Sequence, residues 1–354
     1  MSVRLRPVLA SMPKYVPGRA IPEAIKLSSN ETPYPPLPYV IERAARAAAQ
    51  GNRYPDASSA ELIAALAKRY AVAPEQVAVG CGSVSLLTQL VQAAADAGDE
   101  VIYAWRSFEA YPIIAAVAGA TSVQVPLSAD HRHDLDAMAA AISDRTRVIM
   151  VCNPNNPTGT TVTEDELRAF LATVPSDVVV ALDEAYREYV TDPAVPDGLT
   201  LLADFPNLVV FRTFSKAYGL AGFRVGYAIA ADPAIATALQ QTQIPFAVTT
   251  ISQQAALASL EEPALEQLNQ RVTETVTERV RLRDELVALG YEVPASQANF
   301  LWFPLGRGTV EWARGCEEQG VIVRPFAGDG ARVTVSSRAE NDRFLAAAGA
   351  LRPA

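Results

Sequence analysis

FRTFSKAYGLAGFRVG, residues 211–226, sets one lysine among small residues directly after an apolar run, with an arginine eight positions later. A lysine amine has an ordinary pKa of about 10.4. Attack on a carbonyl near neutral pH therefore requires burial or nearby positive charge to remove its proton. Thr213, Ser215 and Arg224 add two hydroxyls and a permanent cation around Lys216, a set able to hold a phosphate dianion. A reactive lysine beside a phosphate anchor points to pyridoxal phosphate. An ordinary surface lysine at a helix N-terminus accounts for this segment equally well, so the decision rests on the rest of the chain.

Working outward, short apolar runs at 77–80, 100–104, 147–152, 178–182 and 207–212 lack clean alternation, as strands covered on both faces do. Helical patterns lie between them at 83–95, 109–118, 134–142 and 163–173. Thr163 with Glu166, and Ser58 with Glu61 ahead of the run 62–70, have capping-box spacing. Strand and helix in alternation predict an α/β fold: a mainly parallel mixed sheet flanked by helices. After residue 232 the pattern changes to a helical stretch, a long charged run at 263–289 and the strand-like FLWFPL at 300–305. The charged run reads as an amphipathic helix bridging two domains, the second a smaller α+β unit. The expected division is a proline-rich N-terminal arm at 1–28 that packs on the small domain or a partner subunit, a large cofactor-binding domain at 29–236, and a small domain at 237–354.

Composition narrows the partners. The chain has 354 residues, half of them hydrophobic, and a formal net charge of −9. That acidity argues against nucleic acid or an anionic membrane surface. Arg4 and Arg6 are followed by Pro7, Pro13, Lys14 and Pro17, which interrupt any signal-peptide core. No apolar stretch reaches membrane-spanning length. Cys81, Cys152 and Cys316 are odd in number and widely spaced, which indicates neither a disulfide framework nor a zinc ribbon and fits a reducing cytoplasm. His131 and His133 in SADHRHD have no third ligand nearby, so that stretch reads as a solvated loop and no metal is expected.

In open α/β sheets ligands bind beyond the carboxyl ends of the strands, and those ends form a set here. GCGSVS at 80–85 is a glycine turn into a helix N-terminus that either cradles a phosphate or is a plain loop. It lacks the third glycine of a dinucleotide fingerprint. Phe108 follows the next strand, placed to stack on a flat cofactor or to fill the core. NPNNPTG at 153–159 is a turn fixed by two prolines that presents Asn153, Asn155 and Asn156. Asp183 in DEAY emerges from an apolar run, where it either pairs with a buried cation or caps the next turn.

NPNNPTG, Asp183 with Tyr186, the Ser-Lys of TFSK and Arg224, in this order and spacing, resemble the fold-type I aminotransferases over nearly the whole chain. YVPGR (15–19), SSNET (28–32), NRYPD (52–56), DEAY (183–186), RTFSKAYGLAGFR (212–224) and RVTVS (332–336) most resemble the histidinol-phosphate and aromatic amino acid aminotransferases. The resemblance implies pyridoxal 5'-phosphate as cofactor. It implies that Lys216 forms the internal aldimine and moves the substrate proton, that Asp183 pairs with the pyridinium nitrogen, and that Asn156 and Tyr186 bond the ring's phenolic oxygen. Phe108 would lie on the ring face, and Gly82, Ser83, Thr213, Ser215 and Arg224 would hold the phosphate. Tyr54 would reach that phosphate from the other subunit of a homodimer with shared active sites. Arg332 would clamp the substrate carboxylate, with Arg324 and Tyr15 lining the substrate pocket.

The chain departs from the usual histidinol-phosphate pattern at Val84 and Ser85, where an acidic pair is missing, and at TPYPPLP (32–38). With RSFEAYP (106–112), these departures resemble the actinobacterial aromatic branch. The expected reaction is ping-pong transamination of aromatic L-amino acids with a 2-oxo acid such as 2-oxoglutarate. Histidinol-phosphate transamination is the alternative, and decarboxylation of a phosphorylated amino acid a more remote one. A non-catalytic, cofactor-binding regulatory module would need a basic DNA-reading domain, for which this acidic chain has no room before Ser28.

Overall fold

A chain of alternating apolar runs and amphipathic stretches can bury both faces of its strands only by layering helices over a sheet. The computed structural model describes residues 3, 6–10, 12 and 21–351, and Tyr15 lies outside them. In chain order the elements are β1 (Ile25–Lys26), α1 (Pro38–Ala48), α2 (Ala60–Tyr70), β2 (Val77–Gly80), α3 (Ser83–Ala94), β3 (Glu100–Trp105), α4 (Ala110–Ala118), β4 (Thr121–Pro126), α5 (Leu135–Ala140), β5 (Thr146–Cys152), α6 (Glu164–Leu171), β6 (Val179–Asp183), β7 (Leu208–Thr213) and β8 (Gly226–Ala230). There follow α7 (Pro233–Gln241), α8 (Thr250–Ser259), α9 (Glu262–Ala288), β9 (Phe300–Phe303), α10 (Thr309–Glu318), β10 (Val321–Ile322), β11 (Arg324–Phe326), β12 (Gly330–Thr334) and α11 (Arg338–Ala350).

Seven strands form one sheet in the order β2-β8-β7-β6-β5-β3-β4. Only β8 runs against its neighbours, so the carboxyl ends of the other six share one edge. The five strands expected from the sequence are all present, with ends shifted by no more than one residue. Two more were not anticipated. β4 is an edge strand with little burial, so it carries no continuous apolar run. β8 is fully buried but opens at Gly226 straight out of the loop after Lys216. A Cβ on Gly226 would stand 2.5 Å from the Ser83 amide nitrogen, so glycine lets β8 pass close beneath the start of α3.

The Thr163–Glu166 capping box forms as expected at α6. The Ser58–Glu61 box does not. Asp56 caps α2 instead: its Oδ2 accepts from the Ala60 amide (2.8 Å) and its Oδ1 from the Ser58 amide (2.9 Å) and hydroxyl (2.6 Å). A carboxylate two residues upstream offers two acceptors where the serine offers one.

β11, β12 and β9 form a three-stranded antiparallel sheet. Its core unites Leu301, Phe303, Val333 and Phe344 with Ile25 and Leu27 from the N-terminal side, and β1 pairs in parallel with β10. The 27-residue α9 runs alongside, and its buried Arg279 donates to the carbonyls of Tyr189 (2.9 Å) and Ala298 (3.1 Å). Among the described residues, no helix is long and apolar enough to cross a membrane.

Candidate active site

The common edge of the six strands opens into a cavity of about 250 Å³, walled on its far side by β11 and β12. Lys216, Asp183, Tyr186, Asn156, Phe108, Ser83, Thr213, Ser215, Arg224, Arg324 and Arg332 all line it, as do Ser28–Glu31 from the polar cluster before α1. Residues from five strand ends and two remote segments thus meet around one lysine.

Lys216 sits on a tight turn after β7 rather than at a helix start. The Gly219 amide donates to the Lys216 carbonyl (3.0 Å), and Leu220 closes back on Phe214 (2.9 Å). Gly219 takes φ of +69°, a conformation that suits glycine. The Lys216 side chain keeps some surface on the cavity, but its amine lies deep among protein atoms, where Nζ donates to the Ser29 carbonyl at 3.4 Å. Burial, aided by Arg332, lowers its pKa to about 7. About half of the amine is therefore neutral and available as a nucleophile near pH 7.

Asp183 ends β6 and is 3% exposed. Tyr111 donates its hydroxyl to Oδ2 (2.8 Å) and the Ala185 amide donates to Oδ1 (3.2 Å). Burial outweighs these bonds and raises the carboxyl pKa to about 6. Tyr111 was not among the expected site residues. The sequence signal for it is only an aromatic on the buried face of α4, indistinguishable from core.

Tyr186 is buried edge-on against Phe300, and its hydroxyl accepts from Asn30 Nδ2 (2.9 Å). That leaves the phenolic hydrogen to donate into the cavity. Burial holds the Tyr186 pKa well above its usual value. Asn30 is in turn held by Thr334 and Asn299. Asn156 accepts at Oδ1 from Arg332 Nη1 (2.5 Å), which turns its amide hydrogens toward the open space. Arg332 Nη2 also donates to the Ser28 carbonyl (2.7 Å). Arg324 is engaged by Glu109. Phe108 packs edge-on against Tyr111 with ring centres 5.6 Å apart.

At the opposite end Arg224 lies over the start of α3. Gly82 takes φ of +77°, and a Cβ there would come within 2.5 Å of Arg224 Nη2, so glycine suits the turn and lets the guanidinium lie beside the first turn of that helix. Arg224 Nη1 reaches Ser215 Oγ at 3.4 Å, and Thr213 Oγ1 accepts from the Ser215 amide at 3.1 Å. Helix N-terminus, two hydroxyls and guanidinium converge as an oxyanion cradle requires.

Tyr54, expected to serve the other subunit's site, is 82% exposed and stacks on Phe246. One expectation is overturned. His133 does not sit in a solvated loop: it is buried, with Nε2 3.1 Å from Asn155 Oδ1. Together with Ser107, which donates to the same oxygen (2.8 Å), it steadies the NPNNPTG turn. One exposed-looking stretch thus supplies an inward buttress, because the chain reverses at 128–132, with His131 at φ +63°, and His133 follows on the buried side.

The family model described as aminotransferase class I and II matches residues 22–347. An aromatic amino acid aminotransferase of Rhodococcus jostii (strain RHA1) is 58% identical over 98% of this chain and 95% of its own length. Its counterpart in Streptomyces coelicolor (strain ATCC BAA-471 / A3(2) / M145) is 56% identical over 97% of this chain and 96% of its own length. Among solved structures, the histidinol-phosphate aminotransferase of Sinorhizobium meliloti in complex with pyridoxal-5'-phosphate superposes with a TM-score of 0.89 at 29% identity, covering 99% of this chain and 98% of that one. A match spanning nearly the whole chain is decisive: the chain belongs to the aminotransferase class I and II family.

Proposed function

We propose that this chain is a homodimeric transaminase of aromatic L-amino acids, using pyridoxal 5'-phosphate and a 2-oxo acid acceptor such as 2-oxoglutarate. The observation that carries the reading is the meeting of the Lys216 amine, the buried Asp183 carboxylate and two arginines in one cavity; the names of the relatives above favour aromatic side chains. The donor set fits the cofactor. Asp183 is held by a hydroxyl and an amide rather than by a basic side chain, which suits it to a protonated ring nitrogen. The bare Gly82 edge beside Arg224 suits a phosphate.

When bound, the cofactor supplies an aldehyde that exchanges amino groups and a protonated ring that takes up the electron pair released at the substrate α carbon. Lys216 would hold it and, once displaced by substrate, accept and return the α proton at Nζ. Asp183 would supply the counter-charge for a protonated ring nitrogen. Tyr186 and Asn156 would donate to the ring's phenolic oxygen, with Asn30 fixing the Tyr186 hydroxyl and Arg332 fixing the Asn156 amide. Phe108 would pack against the ring. Gly82, Ser83, Thr213, Ser215 and Arg224 anchor the phosphate, and Arg332 orients the substrate carboxylate. The two half-reactions share these groups, so the kinetics are ping-pong. Arg324 and Tyr15 complete the substrate side.

Tyr54 is assigned to the phosphate of the partner subunit, which is supported by its exposure and its stacking on the exposed ring of Phe246. We also assign residues 1–28 to an arm, the stretch from 29 into α9 to a large unit and the remainder to a small one; the junction is placed within α9 rather than at 236/237 because α7 and α8 are buried with the large sheet. The three free thiols suit a reducing cytoplasm.

Histidinol phosphate is the second reading, favoured by the adjacency of Arg324 and Arg332. The direct test is to supply the protein with pyridoxal phosphate, L-phenylalanine and 2-oxoglutarate and follow phenylpyruvate and glutamate. Matched formation of both is expected; formation of neither refutes the reading.

A further inference from the structure

β11 and β12 set Arg324 directly opposite Arg332. Two guanidiniums on one wall would draw a substrate with an anionic side chain into the cavity. The two are held differently. Arg332 meets neutral oxygens on Asn156 and Ser28. Arg324 grips Glu109 through both carboxylate oxygens, with Nη2 at 2.9 Å from each and Nε at 3.2 Å from Oε2. Both partners of this pair line the cavity. Glu109 directly follows Phe108 and stands at the start of α4, so one short loop presents both the aromatic ring and the acid. A second ion pair of opposite sense ties that loop to the same hairpin: Arg106 Nη2 and Nε reach Asp329 Oδ2 at 2.5 and 2.7 Å. Glu109 is thus positioned by a clasp, not by its own side chain alone.

We propose that Glu109 determines substrate specificity as the counter-ion that cancels Arg324, making this wall favour uncharged aromatic side chains over those carrying a carboxylate or phosphate. The proposal rests on the transaminase reading above and deepens it. An anionic side chain reaching Arg324, that of the acceptor 2-oxoglutarate included, must displace the Glu109 carboxylate and then share the cavity with it, exchanging one charge-assisted pair for another at the cost of like-charge repulsion; the pair thus weakens binding of such substrates relative to aromatic ones without excluding them. An aromatic side chain leaves the pair intact and packs beside it.

The test compares purified holoenzyme of the wild type, Glu109→Gln and the double variant Glu109→Gln/Arg324→Gln. Each is assayed with L-phenylalanine, L-glutamate and histidinol phosphate. In Glu109→Gln the efficiency ratio of either anionic substrate to phenylalanine should rise about tenfold, the worth of one charge-assisted hydrogen bond. The gain should appear in KM more than in kcat, and the double variant should lose it. Binding supplies a second readout independent of turnover: glutarate should inhibit Glu109→Gln about tenfold more tightly, and 3-phenylpropionate should not. An unchanged ratio with unchanged glutarate affinity overturns the proposal while leaving the transaminase reading intact, as does a gain that survives in the double variant. A wild type that prefers histidinol phosphate to phenylalanine overturns both.

Discussion

Asp183→Asn separates catalysis from stability in opposite directions. The side chain is buried and fixed by Tyr111 and the Ala185 amide. Asparagine keeps its shape, and the Tyr111 hydroxyl can turn round to accept from the new amide. What disappears is the charge opposite the ring nitrogen. Removing one partner of a buried ion pair costs about 3 kcal/mol or more, so kcat/KM should fall by at least about a hundredfold. In the cofactor-free protein the same charge is a burden. Its folded pKa of about 6 stands above the ordinary 3.8, so the folded state holds the proton more tightly than the unfolded chain. The stability tied to that proton is fully present below pH 3.8 and is lost as pH rises through about 6, the loss reaching about 3 kcal/mol by neutrality. The cofactor-free variant should therefore resist urea better than the wild type at pH 8, with the advantage shrinking as pH falls toward 4. Urea unfolding at several pH values and steady-state kinetics read the two effects separately. Full activity in the variant, or lost activity accompanied by lost stability at pH 8, refutes the reasoning.

Lys216→Ala should abolish both the visible absorbance of lysine-bound cofactor and transamination; retained turnover would sink the assignment of the proton carrier. Capture of pyridoxal phosphate by cofactor-free protein should rise with pH and be half-maximal near 7, because burial and then Arg332 hold the Lys216 pKa there. Arg332→Gln should move that midpoint upward, and a midpoint near 10 in the wild type contradicts the buried-amine account. Tyr54→Ala should loosen cofactor retention by about tenfold through loss of one hydrogen bond to a charged group. Mixing its subunits with Lys216→Ala subunits should restore one intact site per mixed dimer, and absence of recovery argues against a shared site.

What the sequence disclosed was whatever depends on local order. The five central strands read as unbroken apolar runs because both their faces are covered, and their last residues marked the cavity because function concentrates at that edge. β4 escaped because an edge strand needs no apolar run, and β8 because a glycine-led strand follows its neighbour without a crossover helix. The Asp56 cap was hidden by a serine with the right spacing and the wrong geometry. Within the site, the cavity residues at the ends of the central strands were legible, whereas Arg324 and Arg332 rested on the family resemblance. The tertiary partners were not legible: Tyr111 behind Asp183, Asn30 behind Tyr186 and His133 behind Asn155 lie 22 to 156 positions away in sequence. Glu109 belongs with them, since only the β11–β12 hairpin folding over the 105–110 loop brings Arg324 to it.

The most direct measurement is the efficiency of transamination, kcat/KM, for L-phenylalanine, L-tyrosine and histidinol phosphate on the same wild-type holoenzyme with 2-oxoglutarate as acceptor. The two aromatic amino acids should both exceed histidinol phosphate. A clear preference for histidinol phosphate would contradict the proposed function.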